Sequence, residues 1–202
     1  MAMLVESLTI GGLAAAGLGG AILAALLGVN LLRPRFAFWP ASGGWRAATG
    51  LWLFRVYCAG LIAVAVAAIL EDGLSAWPRY IVGAPIIVGA FALSVASYRQ
   101  LGRENTYFEA RGLVTDGFYA LSRNPGYVAS GVAALGLAVV AWTWAAWFLG
   151  AGLFGIYTLF ALNEERWLLK GYGKAFRDYM LRTPRFVDHR SLDRLTEIAG
   201  RA

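Results

Sequence analysis

RGLVTDGFYALSRNPGY, Arg111 to Tyr127, stands between two strongly apolar regions and breaks their pattern. It mixes three charges (Arg111, Asp116, Arg123) with three glycines, one proline and two tyrosines. Gly112 and Gly117 allow backbone conformations closed to other residues. Pro125 fixes its own φ and pushes Asn124 out of the helical region. The stretch therefore predicts a shaped loop or short helix at a membrane surface, with a new span beginning after it. A plain polar connector is the alternative on composition alone.

The flanks on both sides read as membrane. Of the 202 residues, 59% are hydrophobic and 15% charged, against about 45–50% and about 25% in average soluble domains. The apolar excess comes in blocks. Upstream, Leu8 to Leu32 carries no charge and is long enough for the hydrocarbon core. Gly12, Ala16, Gly20 and Ala24 recur every fourth residue along it, a small-residue face suited to close helix packing. A connector, RPRFAFWPASGGWR, follows with Arg33, Arg35 and Arg46 at its ends; its Phe36, Phe38, Trp39 and Trp45 suit the headgroup region. A second span is expected from about Ala48 to Leu70 and a third from about Tyr80 to Tyr98, with Glu71, Asp72 and Arg79 in the turn between them. Arg55 lies within the second span. It either snorkels to the interface or faces a polar site, and both readings stay open.

Downstream, Val128 to Ala141 is a short fourth segment, and Trp142, Trp144 and Trp147 form an interfacial cluster where it meets a fifth, ending near Leu162. The fourth and fifth segments read as a helical hairpin turning at these tryptophans. Beyond them, Leu168, Tyr172, Phe176 and Tyr179 align as one apolar stripe, so Asn163 to Val187 is expected to lie as an amphipathic segment on the membrane or on the protein. Leu192, Leu195 and Ile198 repeat a weaker pattern in the tail. The fold class is thus an all-α integral membrane bundle of five segments with an amphipathic C-terminal helix. It is one domain: three N-terminal spans (1–98), a second region (99–188) and a polar tail (189–202).

Charge placement orients the bundle. Sixteen of the eighteen lysines and arginines fall on segments that five spans would put on one side; only Arg79 falls opposite, and Arg55 is in a span. Cations favour the cytoplasmic side, so the N-terminus is expected outside and the C-terminus inside, with a bacterial inner membrane as the setting. The basic face means orientation and contact with anionic lipid, not nucleic acid. The single cysteine, Cys58, and single histidine, His189, argue against a zinc centre or a Ser-His-Asp triad.

This topology brings Arg111–Tyr127 and Glu164–Arg185 to the same face. Glu164 and Glu165 stand where a helix leaves the bilayer, a depth at which paired carboxylates need cations or ligand donors. Arg123 and Arg166 are the candidate cations. A ligand site and a structural ion-pair cluster fit this spacing equally well.

The residues then become recognisable. LVTDGFYALSRNPGYVASG, residues 113–131, resembles the LVTxGxYxxxRHPxYxG motif of the isoprenylcysteine carboxyl methyltransferase and phospholipid methyltransferase superfamily. EERWLLKGYGKAFRDYMLRTPRF, residues 164–186, is similar to its EExxLxxxFGxxYxxYxxxVPRF element. The resemblance covers about Arg99 to Val187. It implies an integral membrane enzyme using S-adenosylmethionine, with the cofactor enclosed at the cytosolic face by the two blocks. By position, cofactor contacts fall on Leu113, Val114, Tyr119, Asn124, Pro125, Gly126, Tyr127 and Glu164, and catalytic roles on Arg123 and Glu165. Arg55 becomes a candidate for the acceptor, a lipophilic small molecule or lipid with a carboxylate, amine or thiol nucleophile. Asn124 replaces the family histidine, and asparagine cannot carry a proton near neutral pH. An NADPH-dependent membrane reductase of related fold and a non-enzymatic accessory protein are the competing readings.

Overall fold

Ala2–Leu32 forms one unbroken helix, α1, since the run holds no proline and no charge beyond Glu6. The fold is known from a computed structural model that describes residues 1–41, 43–106 and 112–200. Arg111, at the head of the opening stretch, and Arg201, in the cation asymmetry, lie outside the described residues. Seven further α-helices position the site and are taken in order: α2 Gly44–Asp72, α3 Trp77–Leu101, α4 Arg103–Thr106, α5 Phe118–Leu121, α6 Pro125–Ala141, α7 Trp144–Tyr172 and α8 Lys174–Arg182. A last helix, α9, spans His189–Ala199. No strand occurs among the described residues.

Three helical stretches are long and apolar enough to cross a membrane: Ala2–Leu32, Gly44–Leu101 and Trp144–Tyr172. The second, 58 residues long, contains both α2 and α3. The 17-residue α6 is apolar but shorter.

The long helices alternate in direction. α1 and α2 pack closely because Gly60 has no side chain: a Cβ there would strike the Gly12 carbonyl and Ala16. α3 and α6 run antiparallel, with Gly136 against Ile86 and Ile87 near one end and Gly126 under the Tyr98 ring near the other. α7 packs on α1, α2 and α6, and the Tyr57 hydroxyl of α2 donates to the Leu149 carbonyl of α7 at 2.5 Å. α2 and α3 each pack on α6 but make no extended contact with each other among the described residues. One end of the bundle holds Asp72 and Arg79, paired at 2.5 Å, with Arg79 also reaching the Ala141 carbonyl. The turn between α6 and α7 lies at this end. Trp142 takes a left-handed conformation there and the Thr143 hydroxyl caps α7 by accepting from the Ala146 amide, so the hairpin turns at the tryptophan cluster as the sequence implied.

Two local expectations change. The stripe Leu168–Tyr179 does not lie on one helix: α7 runs on to Tyr172, and Gly173, at φ +52°, breaks it before α8 starts. Its C-terminal members, Phe176 and Tyr179, are buried in the protein, the second of the two placements expected for this segment. Arg166 is exposed and donates to the Leu31 carbonyl, tying α7 to the end of α1 instead of joining the carboxylates. At Gly131 of α6 the Phe154 ring of α7 fills the space where a side chain would be.

Candidate functional site

The loop before α6 is shaped by its glycines and proline. Gly117 sits at φ +53° against the Gln100 side chain, where any Cβ would collide. Gln100 then pins the loop to the end of α3, donating to the Asp116 carbonyl at 2.9 Å and accepting from the Phe118 amide at 3.0 Å. Asn124 sits outside the helical region, at φ −133° and ψ 57°, as the residue before a proline should, and Pro125 opens α6, where its missing N–H costs nothing.

This loop and the chain after α7 are joined by a ladder of hydrogen bonds. The Arg123 amide donates to the Pro184 carbonyl at 2.9 Å. The Ser122 hydroxyl and the Asn124 side-chain amide both donate to the Arg185 carbonyl, at 3.2 and 3.0 Å. The Tyr179 hydroxyl donates to the Tyr119 carbonyl at 2.6 Å. Burial pushes the Tyr119 and Tyr179 phenols upward, so both stay protonated donors. At position 124 asparagine thus ties two chain segments together and needs no titrating proton to do so.

The two adjacent glutamates have separate surroundings. Glu165 accepts from Arg123 Nη2 at 2.6 Å and from Arg185 Nη2 at 2.8 Å. Its side chain and that of Arg123 are each only 8% exposed. The other Arg123 nitrogens reach the Met180 and Thr183 carbonyls, at 3.3 and 2.5 Å, and Glu165 again. This closed network clamps α8 and its exit onto the loop. The Glu165 carboxylate in turn raises the already high pKa of Arg185.

Glu164 faces the other way. Its Oε1 accepts from the Tyr127 hydroxyl at 2.6 Å and from the Trp39 indole at 3.0 Å. Its Oε2 makes no hydrogen bond among the described residues, yet no buried side-chain oxygen or nitrogen among them lacks a partner. That oxygen is therefore open to the cavity Glu164 lines.

The cavity measures about 800 Å³. Leu113, Val114, Tyr119, Arg123, Asn124, Gly126, Tyr127, Glu164, Glu165 and Arg55 all line it, so nearly every residue singled out from the sequence converges there. Pro125 does not line it; it is buried behind the wall as the first residue of α6. Sequence reasoning missed an aromatic wall. Tyr127 stacks on Tyr157 at 4.6 Å and 15°, and Trp39 meets Phe160 edge-on at 4.9 Å. Phe54, Tyr98 and Arg103 were missed as well. Trp39 is held in place by Asn30, whose Nδ2 donates to the Trp39 carbonyl and to Asn163 Oδ1, both at 2.6 Å. A lone asparagine in each of two apolar helices was the only available signal for this brace.

Residues 78–175, from α3 through α7, match the family model described as phospholipid methyltransferase. The match covers 98 of the 202 residues. No curated protein and no solved structure matches the chain. The matched stretch contributes the loop, α6 and α7, and so both glutamates and both stacked tyrosines. It ends inside α8, ahead of Thr183 and Arg185. Trp39, Phe54 and Arg55 come from outside it.

Proposed function

We propose that this membrane methyltransferase uses S-adenosylmethionine and methylates a lipophilic or membrane-partitioned small acceptor at the cytoplasmic face. The observation that carries the reading is the open oxygen of Glu164, set by two donors in the wall of a cavity large enough for a nucleoside ligand. A carboxylate so placed suits a ligand's ammonium, and the tyrosine faces suit an adenine or a sulfonium. When bound, the donor supplies an already activated sulfonium methyl. The chain's part is then to position two ligands and keep water from the reacting atoms. Leu113, Val114, Tyr119, Asn124, Gly126 and Tyr127 would shape the cofactor side, with Pro125 fixing where α6 begins. Arg123 and Glu165 would act by positioning: their bonds are spent on holding loop and α8 together.

Helix alternation and the cation asymmetry support five crossings, with the site end in the cytoplasm. Reporter fusions at Glu71 and at the C-terminus should then report opposite sides of a bacterial inner membrane; a cytoplasmic signal at Glu71 would reverse the assignment. The function is tested by calorimetry on the purified protein with S-adenosylmethionine, S-adenosylhomocysteine and NADPH. Binding of the first two and not the third is expected. Binding of NADPH alone would replace the reading with a reductase, and binding of none with a non-enzymatic role.

A further inference from the structure

Tyr98 stands three residues before the end of α3. Its ring lies over Gly126, the second residue of α6. A Cβ at Gly126 would come within 2.9 Å of that ring and 3.3 Å of its hydroxyl oxygen, so the glycine makes room for this side chain. The Tyr98 hydroxyl makes no hydrogen bond among the described residues, yet no buried side-chain oxygen among them lacks a partner. It therefore opens into the cavity that Tyr98 lines. Tyr157 and Glu164 of α7, Tyr119 of α5 and Cys58 of α2 all lie within electrostatic reach of it. The oxygen thus stands among the elements that enclose the cavity.

The other tyrosines of the wall divide by what their hydroxyls do. Tyr127 donates to Glu164, Tyr179 to the Tyr119 carbonyl, and Tyr157 bonds Ser130. Tyr119 and Tyr172 share with Tyr98 a hydroxyl without a hydrogen bond among the described residues. Tyr119 belongs to the short α5 in the surface loop, and Tyr172 is the last residue of α7, well past the carboxylates. Tyr98 alone of the three packs on α6, from a helical stretch long and apolar enough to cross a membrane. Water competes least for its lone pairs, and an oxygen in such surroundings interacts most strongly.

We infer that the Tyr98 hydroxyl oxygen faces the sulfonium of the methyl donor and makes the site prefer the donor over its demethylated product. This rests on the methyltransferase reading. A sulfonium's positive charge polarises the C–H bonds beside it, and an oxygen lone pair accepts such hydrogens as weak hydrogen bonds. Charge on the donating group strengthens them about twofold. The thioether left after methyl loss has neither the charge nor the methyl, so the contact lapses. A ring face attracts the same cation, but an oxygen does so along one direction and helps to fix where the methyl points. Tyr98 thereby reads the charge that separates donor from product, while Glu164 holds an ammonium that both share.

The test is calorimetric titration of the full-length protein in maltoside micelles with S-adenosylmethionine, S-adenosylhomocysteine and sinefungin, in which a carbon bearing an ammonium replaces the methylated sulfur. The wild type should bind the first and third more tightly than S-adenosylhomocysteine. Tyr98→Phe keeps the ring over Gly126 and removes only the oxygen. It should weaken those two by roughly five- to thirtyfold while S-adenosylhomocysteine affinity stays within about twofold. Affinities are compared within one preparation, so an unfolded fraction alters the stoichiometry and not the ratio. An unchanged ratio in Tyr98→Phe overturns the inference and leaves ring faces or Glu164 as the source of the preference. So does equal loss of all three ligands, as a purely structural hydroxyl would give, or a split that appears in Tyr119→Phe instead. A wild type that binds donor and product equally also overturns it, with the methyltransferase reading intact. A wild type that binds none of the three ends both.

Discussion

The N-terminal pair α1–α2 and the region matched by the family model are held together by partly different means. In the pair, glycines let two backbones touch, and Gly60 against the Gly12 carbonyl is the closest approach. The matched region also packs through glycines, Gly126 and Gly136 among them, but adds named polar partners: the ladder that ties its loop to Pro184 and Arg185 beyond it, and the Glu165 network with two arginines. Packing by small residues is a general device of membrane helices and says little about what a helix does. A loop that needs a glycine, a pre-proline turn and a particular arginine is far more specific. The matched region is therefore recognisable as a family, whereas the pair is recognisable only as membrane. Yet both regions line the same cavity.

Breaking the polar network should have the largest effect on this contrast. Arg123→Ala leaves Glu165 buried with only Arg185 beside it, and removes the donors to Met180 and Thr183. Loss of one partner of a buried pair costs about 3–5 kcal/mol. The melting temperature in detergent should drop steeply, and limited proteolysis should cut near α8 first. If stability stays unchanged while methyl transfer is lost, Arg123 acts on the substrate directly and the positioning role is wrong.

Next comes Glu164→Gln. The network at Glu165 is untouched, so the fold should persist. Affinity for S-adenosylhomocysteine should fall by about 1.5–3 kcal/mol, or roughly ten- to a hundredfold. The opposite pattern, a lower melting temperature with affinity intact, would make Glu164 an anchor for Trp39 and Tyr127 and nothing more.

The corresponding change in the other region is Gly60→Val. Its side chain would meet the Gly12 carbonyl and Ala16, and overpacking of this kind costs about 1–3 kcal/mol. The melting temperature should fall while affinity for S-adenosylhomocysteine changes little in the protein that remains folded. A large loss of affinity at unchanged stability would show that α1–α2 spacing sets the cofactor side too, and would erase the division between the regions.

These contrasts follow what could be read from sequence. Helix placement was legible because hydropathy and tryptophan belts register directly in composition. The convergence of two distant motifs was legible because each motif carries its own turn residues. The separation of Glu164 from Glu165 was not: neighbouring helical residues point about a quarter-turn apart, and only the packing tells which faces a ligand. The break at Gly173 was hidden because Leu168, Tyr172, Phe176 and Tyr179 keep helical spacing across it. Phe54, Tyr157 and Phe160 look like lipid-facing residues in any apolar run. Trp39 looks like a headgroup aromatic, and only its indole contact with Glu164 reveals otherwise.

Trp39 is also where the two regions meet, and its substitution gives the smallest and most discriminating effect. Trp39→Phe keeps an aromatic ring against Phe160 but removes the indole N–H that reaches Glu164. Tyr127 still donates to the same oxygen, so the carboxyl group loses one of two constraints rather than its place. A single hydrogen bond is worth about 0.5–1.5 kcal/mol, or roughly two- to tenfold in affinity. S-adenosylhomocysteine binding should weaken by that amount, with the melting temperature nearly unchanged because Asn30 still holds the Trp39 backbone carbonyl. The effect should disappear in a Glu164→Gln background if Trp39 works through Glu164. Full additivity of the two changes would mean that Trp39 touches the ligand itself, and the N-terminal region would then supply part of the cofactor site as well as the wall opposite it.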